Sequence, residues 1–170
     1  VEHIVTGVMS GFNGTLMAYG QTSSGKTHTM EGKLGEEASF GICPRAVDTL
    51  FGCIEDADPD IEFTLKLSFV EIYCEKIRDL LEPANNNLRI KELPSGELAL
   101  ANVTELYVTD EGGVFAAMSQ GKANRATAPT LMNAESSRSH SLLMITVGQR
   151  HTGTGHVVRG RLVVGDLAGS

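Results

Sequence analysis

Residues 20–27 read Gly20-Gln21-Thr22-Ser23-Ser24-Gly25-Lys26-Thr27, which satisfies G-x-x-x-x-G-K-[ST] at every fixed position. The brief apolar run Leu16–Tyr19 precedes it, and the residues from Gly25 onward suit a helix. This strand–loop–helix order restricts the fold more than any other feature of the chain. Glycines let the backbone curl so that successive N–H groups face inward and form a nest for an anion. A helix starting at the end of the loop adds the positive end of its dipole. Lys26 supplies a mobile positive charge for β- and γ-phosphates, and the Thr27 hydroxyl a ligand for Mg²⁺. Taken alone, the pattern implies a phosphate-binding fold and leaves the function open.

With 170 residues, the chain is long enough for one domain with a proper core. No apolar run reaches the roughly 18 residues needed to span a bilayer, so no membrane insertion is expected. Nor does a basic stretch followed by an apolar one mark a secretory leader. Cys43, Cys53 and Cys74 are an odd number without metal-ligand spacing, which suits reduced thiols in a cytosolic protein. Net charge is −7 but uneven: residues 1–120 carry 8 basic and 19 acidic side chains, residues 121–170 carry 6 and 2. An acidic body argues against nucleic-acid binding, which wants a basic face. The positive last part suits either an anionic partner or a solvated surface, and charge alone does not choose.

Val1 to Gly11 has a short helical spacing, and Pro44 to Ile54 places Ala46, Val47, Leu50, Phe51 and Ile54 on one helical face. Ile61 to Tyr73 alternates with period two and predicts a strand. Beyond Tyr73, Ile77, Leu80 and Leu81 have helical spacing, up to the break at Pro83. Three short strands are expected between Leu88 and Val108, and a helix over Glu111 to Lys122. Leu142 to Val147 and Val157 to Val164 read as a hairpin. There is no repeat or persuasive linker, so residues 1–170 read as one α/β domain. Few helices follow Lys122 to cover the strands. A sheet needs both faces covered, so further C-terminal sequence is expected.

Two more constellations bear on the loop. Asn133-Ala134-Glu135-Ser136-Ser137-Arg138-Ser139-His140 gathers hydroxyls able to reach Mg²⁺ or a γ-phosphate and a cation able to make and break an ion pair. By itself, a serine-rich segment is usually only a loop. Asp166-Leu167-Ala168-Gly169-Ser170 follows the apolar run Leu162-Val163-Val164. An aspartate at such a strand end is placed to hold the water shell of a magnesium ion, and Gly169 can bring its N–H close to a γ-phosphate.

Together these segments resemble the kinesin motor domain. Gly11-Phe12-Asn13-Gly14-Thr15, through Ala18-Tyr19-Gly20 to Gly25-Lys26-Thr27-His28-Thr29-Met30, is similar to its phosphate-loop signature. Gly41-Ile42-Cys43-Pro44-Arg45 resembles the start of the resumed helix, and Phe69-Val70-Glu71-Ile72-Tyr73 through Ile77-Arg78-Asp79-Leu80-Leu81 a further signature. Asn124-Arg125 and Thr130-Leu131-Met132-Asn133 precede Ser136-Ser137-Arg138-Ser139-His140 as in that family, where the latter is the first switch; Asp166 to Ser170 opens the second. The likeness runs nearly end to end and is most like conventional kinesin heavy chains.

The resemblance implies a P-loop NTPase fold: a central mixed, largely parallel β-sheet flanked by helices and incomplete at both ends. It implies Mg·ATP held by residues 20–27 with His28 beside them, and Mg²⁺ on Thr27 and Ser137, with Asp166 reaching it through water. Asn133 and Ser136 would organise the γ-phosphate side and the attacking water. Gly169 would sense the γ-phosphate, and Arg138 would pair with a glutamate following Ser170. His140 is expected to be structural rather than a proton carrier. The implied partner is the microtubule, chiefly through elements outside these residues, and the implied setting is the cytoplasmic cytoskeleton, with the parent protein a coiled-coil dimer. The relay helix, neck and N-terminal adenine-flanking strand lie outside the sequence, so the piece alone is expected to be marginally stable and not a competent motor. Gly165 stands where the family has a β-branched residue, and Met17 where it has phenylalanine. Two other readings remain: a non-hydrolysing, nucleotide-gated microtubule-binding module, and a phosphate-loop kinase of small molecules.

Overall fold

The computed structural model describes residues 1–33, 36–126 and 138–170. In chain order the elements are α1 (Glu2–Met9), β1 (Asn13–Ala18), α2 (Lys26–Met30), a 3₁₀ turn (Glu37–Ser39), α3 (Ile42–Glu55), β2 (Ile61–Tyr73), β3 (Lys76–Asp79), β4 (Arg89–Glu92), β5 (Leu98–Ala101), β6 (Leu106–Val108), α4 (Glu111–Ala126), β7 (His140–His151) and β8 (Val157–Asp166). One sheet runs β1-β8-β7-β2-β3, with β6 also on β2, while β4 and β5 form a separate hairpin.

The period-two pattern of β2 has a direct structural result. Leu65, Leu67 and Phe69 stand opposite Val147, Ile145 and Leu143 of β7, and Ile145 and Leu143 in turn face Leu162 and Val164 of β8. All of these are buried. Against them lie Val5 and Val8 of α1, Ala46, Val47 and Leu50 of α3, and Val114, Ala117 and Met118 of α4, in one core. Each fully buried leucine or valine contributes about 1.5–3 kcal/mol by leaving water. Pro44 is tolerated because it lies in the first turn of α3, where its missing N–H has no intrahelical partner to lose. The alternate residues of the strands, among them Glu62, Thr64, Lys66, Thr146, Arg159 and Arg161, line a polar hollow. No helix among the described residues is long and apolar enough to cross a membrane.

The mixed sheet flanked by helices agrees with the expectation, but it is less parallel than expected. Among the described strands only β1 and β8 pair in parallel; β2 with β3, β6 and β7, and β7 with β8, are antiparallel. Between β2 and β3 and between β7 and β8 the connections are too short for anything else, since a parallel pair needs a crossover of a dozen residues or more.

A second correction concerns the residues after Tyr73, which form β3 rather than a helix. Cys74 and Glu75 both take left-handed backbone angles (φ 47° and 62°), and Tyr73 pairs with Lys76. Two consecutive positive-φ residues make the turn whose twist matches paired strands. Asp79 then ends β3: its Oδ1 accepts the N–H groups of Leu81 (2.9 Å) and Glu82 (3.2 Å), and its Oδ2 that of Thr104 (2.7 Å).

Burial, helped by the nearby Glu31 carboxylate, pushes the Cys43 thiol up to about 12, so it stays protonated and unreactive at neutral pH. Cys74 is exposed. Brief treatment of the folded protein with iodoacetamide at pH 7.5 is expected to alkylate Cys74 and spare Cys43. Peptide mass spectrometry checks this, and equal labelling of the two would mean that the α3 core is open.

Candidate nucleotide-binding site

The parallel pair β1 and β8 places two loops side by side. Ala18, the last residue of β1, stands in register with Asp166, the last of β8. The phosphate loop leaves the first strand there and Leu167-Ala168-Gly169-Ser170 leaves the second. Residues 139 apart in sequence therefore meet: the Thr27 hydroxyl donates to Asp166 Oδ2 at 2.6 Å.

The loop turns through Gly20 (φ 154°), Ser23 (φ 65°) and Gly25 (φ 90°) before α2 starts at Lys26. A Cβ at Gly25 would meet nothing, so glycine is required there by the left-handed backbone and not by space. Lys26 Nζ lies over the loop and donates to the carbonyls of Gly20 (2.7 Å) and Gln21 (2.9 Å). Gln21, Thr22, Ser23 and Ser24 are exposed, as is His28, which sits in α2.

The second loop is anchored on both sides. The Leu167 N–H donates to Ala18 O (3.3 Å), the Ala168 N–H to His140 Nδ1 (3.0 Å) and the Ser170 N–H to Gly20 O (3.2 Å). Among the described residues, Gly169 alone of these four has an N–H without a partner. Asp166 is 6% exposed, and its Oδ1 is buried with no hydrogen bond. A buried carboxylate oxygen of this kind is normally satisfied. Together with the Thr27 hydroxyl it offers hard oxygen donors, the set that suits Mg²⁺. No group of three or more His, Cys, Asp or Glu able to hold a metal occurs among the described residues.

Of the other expected site residues, Arg138 is exposed at the entry to β7, and no ion pair involves it among the described residues. Asn133, Ser136 and Ser137 lie outside the described residues.

The structure adds a buried polar cluster that motif spacing does not reveal. Glu71 of β2 stands opposite Ser141 of β7, which stands opposite Asp166 of β8. Arg125, near the end of α4, lies beside this row. It donates to Glu71 Oε1 (3.3 Å), Ser141 Oγ (3.1 Å) and Ser139 O and Oγ (3.1 and 3.0 Å), and its Nη1 is 3.9 Å from Asp166 Oδ2. Ser139 Oγ donates to Glu71 Oε1 at 2.7 Å, and Arg78 pairs with Glu71 Oε2. The cluster joins β2, β3, α4 and β7 to the strand end carrying Asp166. Its members lie up to 95 residues apart, so only strand register could have announced it.

The model of the kinesin motor domain family matches residues 1–170. The chain belongs to the kinesin motor domain family. It is 49% identical over 168 residues to a kinesin heavy chain of Caenorhabditis elegans, covering 99% of this chain and 21% of that one. It is 47% identical over 169 residues to the kinesin-1 heavy chain of Homo sapiens, covering 99% and 18%. A solved structure of a fast kinesin superposes with a TM-score of 0.91 at 42% identity, over 97% of this chain and 47% of that one. The chain thus spans about a fifth of the heavy chains and under half of that solved kinesin. The P-loop NTPase fold and the likeness to kinesin heavy chains agree with the expectation from sequence.

Proposed function

We propose that the chain is the ATP-binding and ATP-hydrolysing part of a microtubule-based motor. The observation that carries this reading is the meeting of phosphate loop and Asp166–Ser170 across the β1–β8 pair, with the Gly169 N–H left to face a ligand. Backbone N–H groups of residues 20–27 cradle the phosphates, and Lys26 exchanges two carbonyl partners for phosphate oxygens. His28 lies beside the nucleotide. Thr27 and Ser137 would hold Mg²⁺, and Asp166 its water shell. The ion, when bound, neutralises charge that develops on the phosphates.

Asn133 and Ser136 orient the attacking water, and the Gly169 N–H contacts the γ-phosphate. Arg138 closes the site by pairing with a glutamate beyond Ser170. Hydrolysis proceeds by positioning and charge stabilisation, and loss of phosphate frees both switches. The solved fast kinesin that the chain resembles is described in terms of its ATPase mechanism and its interactions with microtubules, which supports the microtubule as partner; dimerisation by a coiled coil and residence on the cytoplasmic cytoskeleton belong to the same reading.

Phosphate release by the protein carrying its complete motor domain, measured with and without microtubules, tests the proposal. Stimulated turnover is the expected result. Microtubule binding gated by nucleotide but without turnover would favour the non-hydrolysing module, and a phosphorylated small molecule a kinase.

A further inference from the structure

We infer that His140 is a positioning residue for the second switch: its ring holds the Ala168 N–H so that the neighbouring Gly169 N–H is presented to the γ-phosphate. The inference rests on the reading of the site proposed above and adds a residue to it.

Three contacts hold the loop after Asp166, and they differ in kind. Leu167 and Ser170 donate to main-chain carbonyls of Ala18 and Gly20, on the strand and loop that bear the phosphate site. Ala168 donates instead to a side chain, His140 Nδ1, at 3.0 Å. That side chain belongs to the first residue of β7, immediately after the serine-rich segment, where His140 is paired with Ile72 of β2. His140 is half-buried, and its neighbour Ser139 is tied into the Glu71–Arg125 cluster. The imidazole therefore stands on a fixed base. It reaches Ala168 through only two side-chain torsions, and Nδ1 must be the unprotonated ring nitrogen.

A peptide unit is planar, so fixing one N–H fixes its whole plane. The Ala168 and Ser170 N–H groups are fixed on different segments, and the Gly169 peptide lies between them. Without the histidine contact, the Ala168 plane is free to rotate and carries the Gly169 N–H off the line it holds in the structure. A hydrogen-bond donor aimed at developing charge loses its effect when its direction is lost. Among the described residues no hydrogen bond joins His140 to residues 20–27, so initial nucleotide binding is expected to be left intact.

Asparagine and glutamine separate this role from mere packing. Both place an amide at the position, but only asparagine carries its oxygen at the distance from the backbone that Nδ1 has. In the protein with its complete motor domain, H140N is expected to keep kcat for ATP hydrolysis within about twofold of wild type. H140Q should lose about tenfold in kcat, the effect of one displaced hydrogen bond, with little change in the affinity for a fluorescent ATP analogue. Thermal melting of both variants is measured alongside. Equal activity of H140N and H140Q overturns the inference, as does a loss in H140Q that appears in nucleotide affinity or follows a fall in melting temperature. Wild-type protein that neither binds nor hydrolyses ATP overturns the reading of the site instead.

Discussion

Asp166→Asn is expected to reduce ATP turnover by about 100-fold or more, the loss typical of removing a charged group that acts on the transition state. Asparagine nearly matches aspartate in shape, so β8 and its partners should remain folded. The chemistry changes in two ways. The neutral amide would no longer attract the water shell of the magnesium ion proposed there, and one of its two polar atoms becomes a donor. The Thr27 hydroxyl now donates to Oδ2 at 2.6 Å, and Arg125 Nη1 lies 3.9 Å from the same oxygen. An amide nitrogen at the Oδ2 position faces the donor-only Arg125 guanidinium and makes the Thr27 hydroxyl turn round to accept, and an amide nitrogen at Oδ1 leaves a buried donor without a partner. Phosphate release as a function of Mg²⁺ concentration is the measurement. Turnover should stay low even at high Mg²⁺, with circular dichroism unchanged. A variant with wild-type turnover would remove Asp166 from the proposed site.

Gly160→Ala is expected to destabilise the fold by about 3 kcal/mol or more, lowering the melting temperature by roughly 6–12 °C for a domain of this size. A Cβ at this position of β8 would lie 2.0 Å from Val8 O and 2.9 Å from Phe12 O. Both are main-chain atoms, so neither can move aside without shifting α1 or the start of β1. The contrast lies five residues along the same strand. A Cβ at Gly165 would meet Leu142 Cδ2, a terminal methyl, at 3.0 Å and Met17 Cγ at 3.4 Å, both on side chains that can shift, Met17 being 59% exposed. Gly165→Ala is therefore expected to be neutral or to stabilise by about 0.5 kcal/mol, because alanine loses less backbone entropy on folding. Thermal melts of the two variants beside wild type decide the matter. Similar losses in both would mean that strand glycines here serve the backbone and not the packing of α1.

Much of the architecture could be read locally. The alternation in Ile61–Tyr73, the face shared by Ala46, Val47, Leu50 and Phe51, and the glycine-and-lysine loop each carry their own signal over a few residues. The stretch after Tyr73 misled for the same reason. Ile77, Leu80 and Leu81 are spaced as on a helix, while the features that decide are the left-handed angles of Cys74 and Glu75, residues with no strong preference for them. The largely parallel sheet was an expectation from the family, whereas among the described strands β1 on β8 is the parallel pair and tight turns impose the antiparallel pairing of β2 with β3 and of β7 with β8.

The loop of residues 20–27 between a strand and a helix, and the aspartate at a strand end, were legible in sequence alone, because each is a contiguous pattern of residue types. Their relation was not. That Thr27 reaches Asp166, that Arg125 joins Glu71 to the same corner, and that His140 holds Ala168 follow from the parallel register of β1 on β8 and the antiparallel registers of β8, β7 and β2. Register is a property of paired backbones far apart in the chain, fixed by burying one face of every strand at once. No local window of sequence contains it, and only the folded sheet brings these side chains to one corner.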